Sequence, residues 1–284
     1  MILPAPDPAF AWRHTPYGPA LVCTPLEAVA PHVFTSRAWT LGRDRHAGES
    51  AWHEVGAACG VAPGELVRLT QVHGATTVVA DAVERDENGA WARPEADLLM
   101  TDSVGRAIAA QAADCVPLLY ADVRRGAVLA AHAGWRGLAQ GVPGVAVRAL
   151  AARYGSRPDD LLVAIGPAVG ACCYEVGPDV RAAFDAAFTP ADVSTWFHAL
   201  PQPTSANPSM PGLPPAPRDG HAYFDGWAAA RRQLVLAGVP DDAIYTARLC
   251  TASYSDVLCS YRRDGRDAGR MVGVIARRAP GVTR

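Results

Sequence analysis

Two histidines and a cysteine sit in contexts suited to one metal ion. They are His73 in Thr-Gln-Val-His-Gly, Cys115 in Ala-Ala-Asp-Cys-Val-Pro and His132 in Ala-His-Ala-Gly-Trp-Arg-Gly. Two imidazoles and a thiolate suit zinc, and three protein ligands leave a fourth position for water or substrate, as in catalytic zinc sites. Taken singly, each residue also fits a plainer role: a hydrogen-bonded histidine near a strand end, or a cysteine acting as a small apolar filler. The spacing matches neither a zinc finger nor His-Glu-x-x-His, so pattern alone leaves both readings open.

Other residues could serve such a centre. Asp114 precedes Cys115, and a carboxylate there could move a proton. Gly134-Trp-Arg-Gly runs from an expected strand into an expected helix, where backbone N–H groups form an anion site and Arg136 could bind phosphate or carboxylate with two hydrogen bonds. Between Gly166 and Gly177, glycines allow close backbone approach to a ligand, and Glu175 could be a general acid or base, or a helix cap. Cys172 and Cys173 are adjacent and are read as packing. Arg262, in Ser260-Tyr-Arg-Arg-Asp-Gly, could clamp an anion or form a structural ion pair.

The elements that must position these groups alternate along the chain. Strands are expected at 33–36, 66–71, 77–80, 97–101, 107–112, 118–121, 127–132, 161–165, 244–250 and 271–276, as short apolar runs bounded by Gly, Asp or Pro. Helices are expected at 50–59, 137–154, 178–188 and 225–237. The alternation gives a mixed α/β (α+β) class, and no linker divides residues 1–284 into two domains. Pro201–Arg218 holds seven prolines among small polar residues. It is read as an exposed, mobile insertion, either passive or a lid.

Composition narrows the chemistry. All 26 basic residues are arginine, so neither a Schiff-base lysine nor a phosphate-binding P-loop lysine is available. The net charge of −2 argues against a nucleic-acid partner. No run of 18 apolar residues suits a membrane span, and Met1–Pro19 does not read as a signal peptide. With seven cysteines, an odd number, the thiols are expected to be reduced and the protein cytoplasmic.

Several blocks occur in one order: Gln71-Val-His-Gly, Ala113-Asp-Cys-Val-Pro, Ala131-His-Ala-Gly-Trp-Arg-Gly, Ile165-Gly-Pro, Tyr174-Glu-Val-Gly, Cys250-Thr and Ser260-Tyr-Arg-Arg-Asp. Together they closely resemble the YfiH family, whose names include purine nucleoside phosphorylase, laccase-domain polyphenol oxidase and peptidoglycan editing factor. The resemblance runs from about residue 66 to 276. It departs earlier, where Thr35-Ser-Arg is followed by Ala38-Trp-Thr-Leu-Gly rather than the family's usual glycine pair and Ser-Leu-Asn-Leu-Gly.

The resemblance implies a single YfiH-like domain with mixed sheets packed between helices. It places zinc on His73, Cys115 and His132. It implies phosphorolysis of adenosine, inosine and methylthioadenosine, with deamination of adenosine beside it. The partners would then be a purine nucleoside and phosphate. In that setting Asp114, Cys115 and Glu175 are the catalytic candidates, and Gln71, Arg136 and Arg262 the substrate or phosphate ligands. Three alternatives remain. Copper-dependent phenol oxidation needs more histidines than the eight present, which include no His-x-His pair. Cell-wall precursor amide hydrolysis would use Cys115 as nucleophile and His132 as base. A zinc-stabilised binding protein would use the metal for folding alone.

Overall fold

In the computed structural model, residues 2–41, 48–214 and 216–279 are described, excepting the Glu49 side chain. Met1, Gly42 and Pro215, which fall in segments discussed above, lie outside the described residues.

An N-terminal hairpin joins β1 (Phe10–Thr15) to β2 (Gly18–Cys23), and one turn of helix, α1 (Thr24–Glu27), leads to β3 (His32–Thr35). Helix α2 (Glu49–Ala58) follows, then β4 (Leu66–Val67), β5 (Thr77–Val79), β6 (Leu98–Thr101), β7 (Ala107–Ala112), β8 (Val116–Asp122) and β9 (Val128–Ala133). Helices α3 (Trp135–Ala139) and α4 (Val142–Tyr154) precede β10 (Leu161–Ile165) and β11 (Glu175–Val176). Next come α5 (Pro178–Asp185), α6 (Pro190–Trp196), β12 (Phe197–His198) and β13 (Ala222–Phe224). The chain ends with α7 (Gly226–Leu236), β14 (Ile244–Thr246), α8 (Tyr261–Asp264) and β15 (Met271–Ala276).

Two six-stranded sheets carry the architecture. One has the order β1-β2-β3-β15-β7-β4 and the other β14-β10-β8-β9-β6-β5, while β11-β13-β12 form a small third sheet. Pairing is antiparallel except for β4 with β7, β5 with β6 and β10 with β14. Strand alternation assigns each face. Phe34, Ile108, Ala110 and Ile275 of the first sheet pack against Leu99, Leu119, Ala130 and Ala164 of the second. The outer face of the second sheet, with Leu118, Tyr120, Leu129 and Ala131, is covered by α4, α6 and α7 through Val147, Trp196 and Leu234. The outer face of the first sheet, with Val22, Ala109 and Val274, is covered by Trp52 and Val55 of α2. The layers therefore run helix, sheet, sheet, helix. The central strands are buried on both faces, which is why they read as unbroken apolar runs.

Several expectations are corrected. The helix expected over 137–154 is two helices, broken where Gly141 takes φ +75°. The one expected over 178–188 stops at Asp185, and α6 follows behind an N-cap in which Thr189 accepts from the Asp192 N–H. The strands expected over 66–71 and 244–250 shrink to Leu66–Val67 and Ile244–Thr246. The N-terminal hairpin and third sheet were not anticipated.

The described part of 201–218 is largely exposed, as expected of an insertion, and hydrogen bonds tie it to the body of the fold. Asn207 is buried and spans two main-chain groups: its Nδ2 donates to the Arg248 carbonyl at 2.8 Å, and its Oδ1 accepts from the Cys250 N–H at 2.7 Å. Ser209 Oγ donates to the Cys172 carbonyl at 2.8 Å, and the Arg218 N–H donates to Glu175 at 2.7 Å. With few side chains to bury, proline-rich backbone is held here by hydrogen bonds.

Candidate metal centre

Three connections deliver the trio to one end of the double sheet. His73 sits in the loop between β4 and β5, Cys115 in the turn from β7 to β8, and His132 near the end of β9. Because Leu129, Ala131 and Ala133 of β9 face the helices, His132 points with Ala130 toward the opposite sheet. Ligand atoms of the three residues lie within 4.8 Å of one another. The Cys115 sulfur is 4.0 Å from His73 Nε2, and the two imidazoles meet edge-on with centroids 4.8 Å apart. His132 is buried, Cys115 half-buried and His73 exposed, so the cluster opens on one side.

Asp97, immediately before β6, organises both histidines and was missed in the sequence. Its carboxylate pairs with His132 Nδ1 at 2.8 Å and accepts the N–H groups of Val72, His73 and Gly74 at 3.3, 3.0 and 2.7 Å. This fixes the His132 ring with Nε2 left for the cluster, and holds the His73 loop, where His73 itself has φ +62°. Burial raises Asp97's proton affinity, but His132 and the loop amides outweigh it and keep the carboxylate ionised. The available signal was an Asp entering an all-apolar strand beside the one that carries His132.

Gly134 provides room. A Cβ there would stand 2.9 Å from His73 Cδ2 and 3.0 Å from the Cys115 sulfur. The Cys115 thiol is raised by burial, yet the His132 and His73 imidazoles more than offset this and bring it to about 6. Burial lowers His132, but the Cys115 sulfur and Asp97 push it up to about 9. Each partner thus favours the charged form of the other. A thiol whose pKa is pulled down, a carboxylate behind His132 and an open side all fit a resident cation.

Asp114 takes φ +92° and anchors the Cys115 turn. Its oxygens accept from Thr251 Oγ1 at 2.6 Å and from the Arg262 N–H at 2.5 Å. Burial raises its pKa against these hydrogen bonds. Arg262 also donates from Nη2 to the Glu175 carbonyl at 2.7 Å and lies 5.2 Å from the Tyr174 ring centre. Glu175 is not gathered into the trio. Its carboxylate is bound by Arg218, whose N–H and guanidinium outweigh burial and lower its pKa. Gln71 spends both ends of its amide on Gln111: Nε2 donates to the carbonyl at 2.8 Å and Oε1 accepts the N–H at 2.7 Å. It therefore continues β7's ladder just before the His73 loop. Arg136 is exposed, stacks over Trp135 at 4.2 Å and has no acidic partner among the described residues. Its helix, α3, has only five residues, so the anion-binding reading rests on the guanidinium. A narrow cavity beside Cys115 is lined by Asp114, Gly134, Trp135, Tyr174 and Phe224.

The chain belongs to the YfiH family, whose profile, described as multi-copper polyphenol oxidoreductase laccase, matches residues 37–278. It is similar to a purine nucleoside phosphorylase, YlmD, of Geobacillus stearothermophilus, at 36% identity over 211 residues covering 73% of this chain and 70% of that one. A purine nucleoside phosphorylase of Deinococcus radiodurans is 33% identical over 258 residues, covering 86% and 88%. The crystal structure of the Geobacillus YlmD superposes with a TM-score of 0.75 at 29% identity, over 94% of this chain and 99% of that one. No helix among the described residues is long and apolar enough to cross a membrane.

Proposed function

We propose that the protein is a zinc-dependent purine nucleoside phosphorylase, acting on adenosine, inosine and methylthioadenosine and also deaminating adenosine. The observation that carries this reading is the similarity to relatives named purine nucleoside phosphorylase, on a chain whose His73, Cys115 and His132 converge on one open cluster. Zinc held by these residues would supply Lewis acidity toward a polar atom of the substrate. Asp97 fixes the tautomer and orientation of His132 and the height of the His73 loop. Arg136, with no acidic partner among the described residues, is the residue best disposed to take phosphate, while Arg262 braces the Asp114 turn. Asp114, which lines the cavity beside Cys115, is the carboxyl group better placed than Glu175 to exchange a proton with a departing base. Glu175, kept ionised by Arg218, serves the scaffold.

One observation favours a second reading. Cys115, His132 and Asp97 stand in the order nucleophile, base and orienting carboxylate, which suits amide hydrolysis without metal. Release of free adenine from adenosine separates the two. Phosphorolysis requires inorganic phosphate and yields a ribose phosphate, and a chelator abolishes it. Equal release without phosphate would overturn the phosphorylase reading. Chelator-resistant cleavage of a cell-wall precursor amide would establish the second.

A further inference from the structure

Three cysteines lie together outside the trio just described. Cys172 and Cys173 belong to the turn after β10, and Cys250 follows β14; their sulfurs all lie within 4.8 Å of one another. Adjacency along the chain had pointed to simple packing for Cys172 and Cys173, yet the turn aims both at Cys250. We propose that these sulfurs form a second metal site, for a soft, thiolate-seeking ion of the Cu(I) or Zn(II) kind.

The spacing suits one ion. Metal–sulfur bonds of about 2.3 Å place three ligand sulfurs roughly 4 Å apart. Two sulfurs are also placed as acceptors. Cys250 Sγ accepts the Gly170 N–H at 3.3 Å, and Cys173 Sγ accepts the Met210 N–H at 3.1 Å. Such hydrogen bonds would strengthen once a bound cation had displaced the thiol protons, including the one Cys173 directs at the Pro208 carbonyl 3.8 Å away. All three residues are buried, between Val169 and Ala252, with Met210, Tyr174 and Trp227 against them. Gly170 lets the Trp227 ring close over the group, since a Cβ there would stand 2.9 Å from that ring. Among the described residues no histidine or carboxylate joins the group. The nearby Ser253 hydroxyl donates to the Pro208 carbonyl at 2.5 Å. An all-sulfur donor set selects soft ions over magnesium, calcium or manganese. Cys172 also lines a cleft of about 360 Å³ beside Gln202, Thr204 and Asn207, which offers a way in under the proline-rich strap.

The test uses the full chain with the first site removed, as the double variant His73→Ala/Cys115→Ala. It is titrated anaerobically, under reducing conditions, with Cu(I) against a chromophoric chelator and separately with Zn(II). The expected result is one ion per chain, lost on adding Cys250→Ser and weakened at least tenfold by Cys172→Ala, the variant least disruptive to packing. X-ray absorption separates the ions: a sulfur-only shell with Cu(I), or sulfurs completed by one light atom with Zn(II). Loading should also slow proteolysis within 201–210, where the strap contacts the cysteines. Uptake of neither ion by a folded double variant overturns the site. So does uptake that is indifferent to both cysteine substitutions, or a shell rich in nitrogen.

Discussion

The two three-ligand clusters are built by opposite means. The His73, Cys115 and His132 group has mixed donors, an exposed member and a buried carboxylate behind it. The Cys172, Cys173 and Cys250 group has a single donor type, full burial and main-chain amides in place of a carboxylate. One hydrogen bond links their supporting segments, since Asp114, next to Cys115, accepts from Thr251, next to Cys250. The comparison teaches that access, more than ligand number, separates a centre able to meet substrate from one able only to hold an ion.

The largest effect should come from the open cluster. His132→Ala or Cys115→Ala should remove its metal and reduce turnover at least a thousandfold, while thiol titration under denaturing conditions still finds Cys172, Cys173 and Cys250 reduced. Full zinc occupancy in Cys115→Ala would break the assignment.

Asp97→Asn keeps the shape but alters what His132 Nδ1 and the three loop amides meet. Metal affinity should fall about 10- to 100-fold, the usual cost of a lost outer-shell carboxylate. Competition with a chromophoric chelator measures it, and an unchanged affinity would reduce Asp97 to a scaffold part.

Acid sharpens the contrast between a metal histidine and a structural one. His32 is buried, accepts the Cys23 N–H at 3.0 Å and lies 3.0 Å from the Ala30 carbonyl. Burial lowers its pKa from 6.5 to about 4. The unfolded chain therefore binds the proton first. The stabilising contribution is complete above about pH 6.5 and is lost as pH falls toward 4, by at most about 3 kcal/mol. Urea titrations of metal-free protein at pH 7 and 4.5 should show the loss, and His32→Gln should reduce it.

The smallest effect belongs to the strap. Asn207→Ala leaves the Arg248 carbonyl and the Cys250 N–H unpaired, at a cost of about 1–3 kcal/mol. The melting temperature should fall and Cys172 should react faster with a thiol reagent, while metal at His73, Cys115 and His132 stays in place. An unchanged melting temperature would return the strap to a passive loop.

The layered class and the trio were legible because both leave local marks. Doubly buried strands such as β8 and β9 write continuous apolar runs, and His73 and His132 each stand one or two residues before a glycine. Asp97 left no such mark, since an Asp before a strand reads as a boundary. Its function depends on a register that brings β6 against β9. The break at Gly141 was hidden because apolar periodicity continues across it. The cysteine cluster joins residues nearly 80 positions apart, and the N–H groups that its sulfurs accept from are main-chain atoms, which carry no residue signature. Arg218's hold on Glu175 was equally hidden, because the arginine ends a segment that had seemed structureless.

Gly134 has a consequence for how this family drifts. It has no positive φ, so backbone conformation alone would admit alanine or serine there. What disfavours them is the approach of His73 Cδ2 and the Cys115 sulfur to 2.9 and 3.0 Å from the position a Cβ would take. Position 134 is therefore a one-residue marker. A side chain introduced there would have to displace the His73 ring or the Cys115 sulfur from its present place.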